Sequence, residues 1–321
     1  VKPMFKYTIK RVLQSLLTVL IVVSIVSLLL SLMPTDYYFT EDELMKLTDE
    51  QKNAILSAAG LLDNPLEQLF HFLKNLFLHG DLGVSRRIQA GVPVLTVIGG
   101  KFGISMKMGS IALVISLLLG VPMGILQAKY KNGAFDNAGT VYTIFVNAVP
   151  SLVSYSLVLV LGVKVFGLPS MYSTRQALRS SIMPVICLAL GSIASYALWM
   201  RRYMIDELTK DYIKLAKIKG LSSRTIMFRH VLRNAFVPMA QNLPSSFMLT
   251  ISGSLLVERF FSVPGMGPLL TDAITRYDLN MVRGLVLLYS LLGVFGLFLG
   301  DVLMTIFDPR IRLTGKSGDT R

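Results

Sequence analysis

Apolar residues arrive in long runs along this chain. Val12–Met33 carries no charged side chain over 22 residues, and similar runs recur at about Met108–Ala128, Ala138–Val163, Ile182–Met200, Val237–Val257 and Gly284–Phe307. About 20 apolar residues are enough for a helix to cross a hydrocarbon core of about 30 Å. The pattern therefore predicts an all-α polytopic membrane protein with about six transmembrane helices. The first run follows Lys2, Lys6, Lys10 and Arg11. A secretory signal has a shorter apolar core, roughly 7–15 residues, so this run reads as an uncleaved first span with a cytoplasmic N-terminus.

The segments between the runs set the orientation. Residues 34–103 hold nine acidic residues against five basic ones before Lys101. They also hold an amphipathic stretch with Leu66, Leu69, Phe70, Leu73, Leu76 and Phe77, and a turn-rich Gly80-Asp81-Leu82-Gly83-Val84-Ser85. This is expected to be a small extracytoplasmic insertion after the first helix. The division is then 1–33, the N-terminus with the first span; 34–103, the insertion; and 104–321, a five-helix core. Segment 201–236 holds nine Lys or Arg against three acids, whereas 164–181 and 258–283 hold three basic residues each. Basic residues favour the cytoplasmic side, so both termini and 201–236 are expected inside.

The 201–236 segment exceeds what a basic juxtamembrane loop requires. Tyr212, Leu215, Ala216 and Lys219 recur at helical spacing. Gly220 suits a left-handed helix end, and Ser222 or Ser223 can cap a second helix through Ile226, Val231, Leu232 and Ala235. The expectation is a helix, a sharp turn and a helix, with apolar positions in search of a partner surface.

Composition narrows the chemistry. Charged residues make up only 16% and hydrophobic ones 53%, with a mean hydropathy of +0.59; soluble domains carry about 25% charged residues. The net charge of +13 lies mostly beside the spans, which argues against nucleic acid. Cys187 is the single cysteine, and His71, His79 and His230 are scattered, so neither a disulfide within the chain nor a metal site is expected. No Gly-x-x-x-x-Gly-Lys-Ser/Thr loop exists to cradle ATP phosphates. Polar residues inside the third and fifth runs stand out: Asn147, Ser154, Gln241, Asn242 and Ser245, near Pro150 and Pro244. Prolines free backbone groups that lipid cannot satisfy, so these spans are assigned to a bundle interior or pore. Packing and substrate contact are both open for each residue. Asp301 is an ionisable group inside a span, with a vestibule-facing or an ion-paired structural role equally open.

Several segments together resemble one family. Asp211-Tyr212-Ile213-Lys214-Leu215-Ala216-Lys217-Ile218-Lys219-Gly220-Leu221, with Arg229-His230-Val231-Leu232-Arg233-Asn234-Ala235 and Pro238, is similar to the "EAA" loop of bacterial ABC importer permeases, nearest the oligopeptide/dipeptide branch. Val257–Gly267 resembles that branch's E-x-x-F-x-x-P-G-x-G, through Glu258, Phe261, Pro264, Gly265 and Gly267. Asp308-Pro309-Arg310-Ile311-Arg312 resembles its D-P-R-I-R ending. Gly80–Ser85, after an enlarged first outer loop, resembles its first (B-type) permease. Lys214 and Leu215 stand where the general motif has Glu and Ala, and Leu297 stands where the branch commonly has Asn.

The resemblance implies a multi-pass permease subunit in the bacterial cell membrane, not an enzyme. It implies a homologous second permease, two cytosolic ATPases that carry ATP and Mg, and an extracytoplasmic peptide-binding protein, with no cofactor on this chain. Asp211, Tyr212, Leu215, Ala216, Lys217, Lys219, Gly220 and Leu221 would couple to an ATPase, with the apolar side chains in its cleft and the lysines at its rim. Asn147, Ser154, Gln241, Asn242 and Ser245 would border the path. Glu258, Pro264, Gly265 and Gly267 would shape an outer gate or docking loop. Nickel or another small solute is an alternative cargo. An intramembrane enzyme is the rival class, weakened because only Asp301 is ionisable within a span and no His lies at the depth of the serines. A passive channel would not need a two-helix dock.

Overall fold

The computed structural model describes residues 2–251 and 254–307. Asp308–Arg312, the D-P-R-I-R segment, lies outside the described residues, as do Ser252 and Gly253. The chain is built from α1 (Lys2–Ser31), α2 (Glu41–Lys46), α3 (Asp49–Ala58), α4 (Pro65–His79), α5 (Val94–Lys129), α6 (Ala134–Ala148), α7 (Ser151–Phe166) and α8 (Ala177–Leu208). There follow α9 (Asp211–Ile218), α10 (Ser223–Thr225), a π-helical turn (Ile226–Val231), α11 (Leu232–Ile251), α12 (Leu255–Phe260), α13 (Met266–Thr275) and α14 (Leu279–Phe307).

Four of the described helices are long and apolar enough to cross a membrane: Ile9–Ser31, Val94–Lys129, Thr174–Leu208 and Leu279–Met304. The expected third span is not one helix. α6 and α7 are bent by 109° at Val149–Pro150, and they make a fifth crossing only if the pair counts as one. The cause is local. Proline lacks an N–H and pushes the residue before it out of helical geometry; Val149 is accordingly extended, at φ −77° and ψ 128°. At about 1.5 Å per residue, each half is shorter than a bilayer core. α11 covers most of the expected fifth span and carries Pro238 and Pro244 inside it.

The described residues fall into two compact units. The first draws on residues up to Arg11, Phe102–Gly267 and those from Phe295 onward; the second draws on Val12–Lys101 and Pro268–Val294.

In the first unit, one buried cluster joins Met183, Val185, Cys187, Ala189, Val257 and Phe261. A second joins Met200, Met204, Ile213, Ala216, Ile226, Val231, Ala235 and Met239. α5 and α8 approach closely through small residues. A Cβ on Gly120 would lie 2.8 Å from the Ile193 carbonyl oxygen, and one on Gly124 would lie 2.5 Å from that of Ala197. This is the small-xxx-small device of membrane helices, where packing replaces the hydrophobic effect as the driving force. Asp301 is ion-paired: its carboxylate lies 2.6 Å from Arg11 Nη2.

In the second unit, Thr40 and Thr48 start α2 and α3 with reciprocal capping boxes to Glu43 and Gln51. Pro65 occupies the first turn of α4, and Gly80 ends it in the left-handed conformation. The Gly80–Ser85 segment leads to a buried knot. Asp278 Oδ2 accepts the Ser85 hydroxyl at 2.6 Å and the N–H groups of Arg86, Arg87 and Ile88 at 3.1, 3.0 and 3.2 Å. Tyr277 holds φ +56°, and its ring stacks on Tyr37 at 4.2 Å between centroids.

Candidate functional site

The basic segment after α8 forms the expected helix, turn and helix, with two differences. Residues 201–208 continue α8, so the loop proper begins at Thr209. The second helix opens through a π-helical turn. Ile226 and Val231 are both buried, at 4% and 0% exposure. Five residues apart, they would be separated by about 140° on an α-helix of 3.6 residues per turn. The i→i+5 bonding of a π turn brings such a pair towards one face.

Gly220 sits at φ +74° and closes α9. A Cβ there would meet no atom within 4 Å, so the left-handed backbone is what calls for glycine. The Leu221 N–H donates to the Ala216 carbonyl at 3.2 Å and completes the turn. Ser222 caps the next helix by accepting the Thr225 N–H at 3.2 Å.

The side chains of α9 divide by face. Leu215 is 52% exposed and Ile218 82% exposed, and Tyr212, Leu221 and Phe228 are also exposed. Lys217 and Lys219 are exposed beside them. Asp211 accepts Lys214 Nζ at 2.8 Å. Ala216 does not face outward: it is 7% exposed and packs with Met200, Met204 and Val231. Its place in α9 is as a wedge inside the chain's own core. Ile218 and Phe228 are the outward apolar positions that helical spacing from Tyr212 did not single out.

Tyr212 has a further job. Its hydroxyl donates to Glu207 Oε1 on α8 and accepts Asn234 Nδ2 on α11 at 2.8 Å. Asn234 also donates to Glu207 at 3.3 Å. One phenol thus ties α9 to both flanking helices. Partial burial, followed by the bond to Glu207, pushes the Tyr212 pKa up to about 12.

A second feature of the first unit is a cavity of about 730 Å³ between α6, α7, α8 and α11. Half of its lining residues bear hydroxyls, among them Tyr142, Ser154, Tyr155, Ser195, Tyr196 and Thr250, and none is charged. Of the five expected path residues, only Ser154 lines it. Asn147 and Asn242 turn their amides back onto their own helices, donating to the Thr143 and Pro238 carbonyls at 2.8 and 3.1 Å. Gln241 and Ser245 also lie outside the lining. The lining serines of α8, Ser192 and Ser195, carry no distinguishing sequence signal, because serine in an apolar run commonly bonds its own helix backbone.

The Pro264-Gly265-x-Gly267 turn is folded around Glu258. This side chain is 2% exposed. Its Oε1 accepts the Ser105 hydroxyl at 2.7 Å, and its Oε2 accepts the Gly267 N–H at 2.8 Å. Ser105 Oγ accepts the Met266 N–H at 2.8 Å. A Cβ on Gly265 would stand 2.4 Å from Ser105 Oγ and 2.5 Å from Glu258 Oε2, so this turn has room only for glycine. Burial raises the Glu258 pKa, and the hydrogen bonds from Ser105 and the backbone oppose the rise. No group of three or more His, Cys, Asp or Glu arranged to hold a metal occurs among the described residues.

Comparison with known proteins places the chain. Residues 120–313 match the model of the family described as "Binding-protein-dependent transport system inner membrane component". The chain belongs to this family. It is therefore an inner-membrane component of a binding-protein-dependent transport system.

Relatives of this permease extend over nearly its whole length. It is 33% identical over 312 residues to the dipeptide transport system permease protein DppB of Lactococcus lactis subsp. cremoris, covering 97% of this chain and 100% of that protein. It is 37% identical over 212 residues to the oligopeptide transport system permease protein AmiC of Streptococcus pneumoniae, covering 65% of this chain. That alignment spans 42% of AmiC, less than half of its length. In fold, it is similar to a chain of the MetNI methionine ABC transporter in inward-facing conformations. The TM-score is 0.56 at 13% identity, covering 66% of this permease and 97% of that chain.

Proposed function

We propose that this permease is the first transmembrane subunit of a binding-protein-dependent importer for oligopeptides or dipeptides. The whole-length alignment to a dipeptide permease, which includes the 34–103 insertion, carries this reading. The cavity supports it. Its hydroxyl wall offers donors and acceptors to peptide amides, and with no charged residue in the lining it does not select by side-chain charge.

In this proposal the chain pairs with a homologous permease. Two cytosolic ATPases hold ATP and Mg, and an extracytoplasmic peptide-binding protein delivers cargo. The 34–103 insertion lies outside, and both termini and α9 lie in the cytoplasm. Leu215, Ile218 and Leu221 enter an apolar cleft on an ATPase, with Lys217 and Lys219 at its rim and Asp211 at the start of the helix. Tyr212 and Ala216 hold α9 to the spans, so motion of the ATPase reaches α8 and α11. Ser154 borders the path. Glu258, Pro264, Gly265 and Gly267 form a stiff turn at the outer end of α11.

The test is reconstitution of the complete complex in proteoliposomes with its binding protein. ATP-dependent accumulation of a radiolabelled tripeptide is the expected result. Accumulation of nickel with no peptide uptake would reassign the cargo.

A further inference from the structure

The second unit contains a small basic cavity for which coupling and transport have no use. Its volume is about 30 Å³, and Arg86, Arg87, Arg283, Asp278, Asn280 and Tyr38 are among the residues that border it. Arg283, on the first turns of α14, is 8% exposed, and its Nε has no hydrogen-bond partner. Its recorded aromatic neighbour is Phe72, with the ring centroid 5.6 Å from Cζ. No acidic side chain among the described residues forms an ion pair with Arg283.

The other cations at the cavity are less enclosed: Arg86 is exposed and Arg87 half-buried, with Asp278 acting on the first and Glu43 on the second. Arg86 donates to the Tyr38 hydroxyl and lies over that ring, and Arg87 donates to the Tyr37 carbonyl at 3.0 Å. Asp278 is the one carboxylate in the lining, and its Oδ2 is already occupied by the Ser85 hydroxyl and three backbone N–H groups. Arg283 is thus the buried guanidinium of the lining, and the one carboxylate that borders the space is already committed. Burying a cation without a counter-charge is costly.

We infer that this cavity binds one small monovalent anion of the halide class. Its size sets the class. A volume of 30 Å³ has room for only one or two particles of water size. A phosphate or a peptide carboxylate with its chain does not fit, whereas chloride does. The donors suit it. Arg283 Nε is unused, and the Tyr38 hydroxyl accepts from Arg86, which leaves its own proton to donate. Asn280 is held as a wall by its bond to the Val84 carbonyl at 3.1 Å. The anion would bridge residues near 38, residues 86–87 and the start of α14, which are far apart in sequence, and so would brace the second unit. This inference does not depend on the cargo.

The test uses the intact purified complex. Its thermal unfolding midpoint is measured in sodium chloride and in sodium gluconate at equal ionic strength. The expected result is a saturable rise of several degrees in chloride, absent in Arg283→Gln. A bromide-soaked crystal of the wild-type complex should show an anomalous peak between Arg283 and Arg87. If Arg283→Gln does not fold, Tyr38→Phe, expected to shift the chloride response to higher concentration, takes its place. Equal midpoints in the two salts with no bromide peak mean that the cavity holds only water and overturn the site. A chloride effect unchanged in both variants overturns it as well.

Discussion

Asp136 grips Arg201 with both carboxylate oxygens, Oδ1 at 2.6 Å from Nε and Oδ2 at 2.8 Å from Nη2. The Asp136 side chain is 2% exposed and that of Arg201 26%. The Asn132 N–H also bonds Asp136 Oδ2 at 2.9 Å, so the turn before α6 is locked to the last turns of α8. α8 leads directly into α9, and the pair therefore fixes the base of α9. Asp136→Ala leaves a partly buried cation alone. The expected cost is about 1–3 kcal/mol, below that of a fully buried pair because Arg201 reaches solvent. The Asp136→Ala/Arg201→Met double variant should recover part of that loss. Thermal unfolding of the purified complex checks both. A double variant as unstable as the sum of the two singles would mean that the pairing contributes nothing.

Glu258 gives the fold a pH signature. Its folded pKa lies above the unfolded value because burial penalises the anion. Between those two values the native state binds more protons than the unfolded chain, so stability falls as pH rises. Its contribution is fully present below the unfolded pKa and is lost as pH climbs through the raised folded one. Glu258→Gln cannot titrate. The stability advantage of wild type over Glu258→Gln should therefore shrink as pH rises from about 4. A difference that stays flat with pH, measured by denaturant titration, would contradict a buried titrating carboxylate. Gly265→Ala should be worse than either at every pH, since its Cβ collides with both Ser105 and Glu258.

The cavity separates polar residues that look alike in sequence. Ser154 and Ser195 line it, whereas Asn242 is exposed outside it with its amide turned onto Pro238. Ser154→Trp and Ser195→Trp should lower peptide uptake at least tenfold while the complex still assembles. Asn242→Trp should retain most of the wild-type rate. Uptake in proteoliposomes, with assembly followed by size exclusion, distinguishes them. The reverse ranking would place the route elsewhere.

Much of the architecture was legible in the sequence. Apolar runs located α1, α5, α8, α11 and α14, because burial in lipid demands continuous hydrophobicity. The run through Ala138–Val163 is two helices bent by 109° rather than one, and hydropathy does not register the turn at Pro150. Gly220 and Ser222 were readable because a left-handed turn and a cap are local. Ala216 was not: an alanine at helical spacing can face a partner or its own core, and only packing against Met200 and Val231 decides. The Asp136–Arg201 and Ser85–Asp278 pairs join residues far apart in sequence, and nothing local in either residue announces its partner.

The exposed face of α9 gives the sharpest separation between coupling and folding. Ile218 is 82% exposed, so its side chain contributes almost nothing to this chain's own stability. An apolar residue held in water on a rigid helix gains only when a partner covers it, about 1.5–3 kcal/mol for full burial. Ile218→Asp should therefore leave the permease inserted and stable, yet weaken ATPase docking or release ATP hydrolysis from transport. Ala216→Trp should do the opposite. It overfills the core around Met204 and Ile213, and the permease itself should be destabilised by about 1–3 kcal/mol. Tyr212→Phe keeps the ring and removes only the bonds to Glu207 and Asn234, so docking should persist while coupled uptake falls several-fold. Gly220→Val places a branched side chain at φ +74° and should cost more than Gly220→Asn, which tolerates that region. The readouts are co-purification with the ATPase, peptide-stimulated hydrolysis and uptake. Normal docking and normal coupled uptake in Ile218→Asp would take this face out of the mechanism.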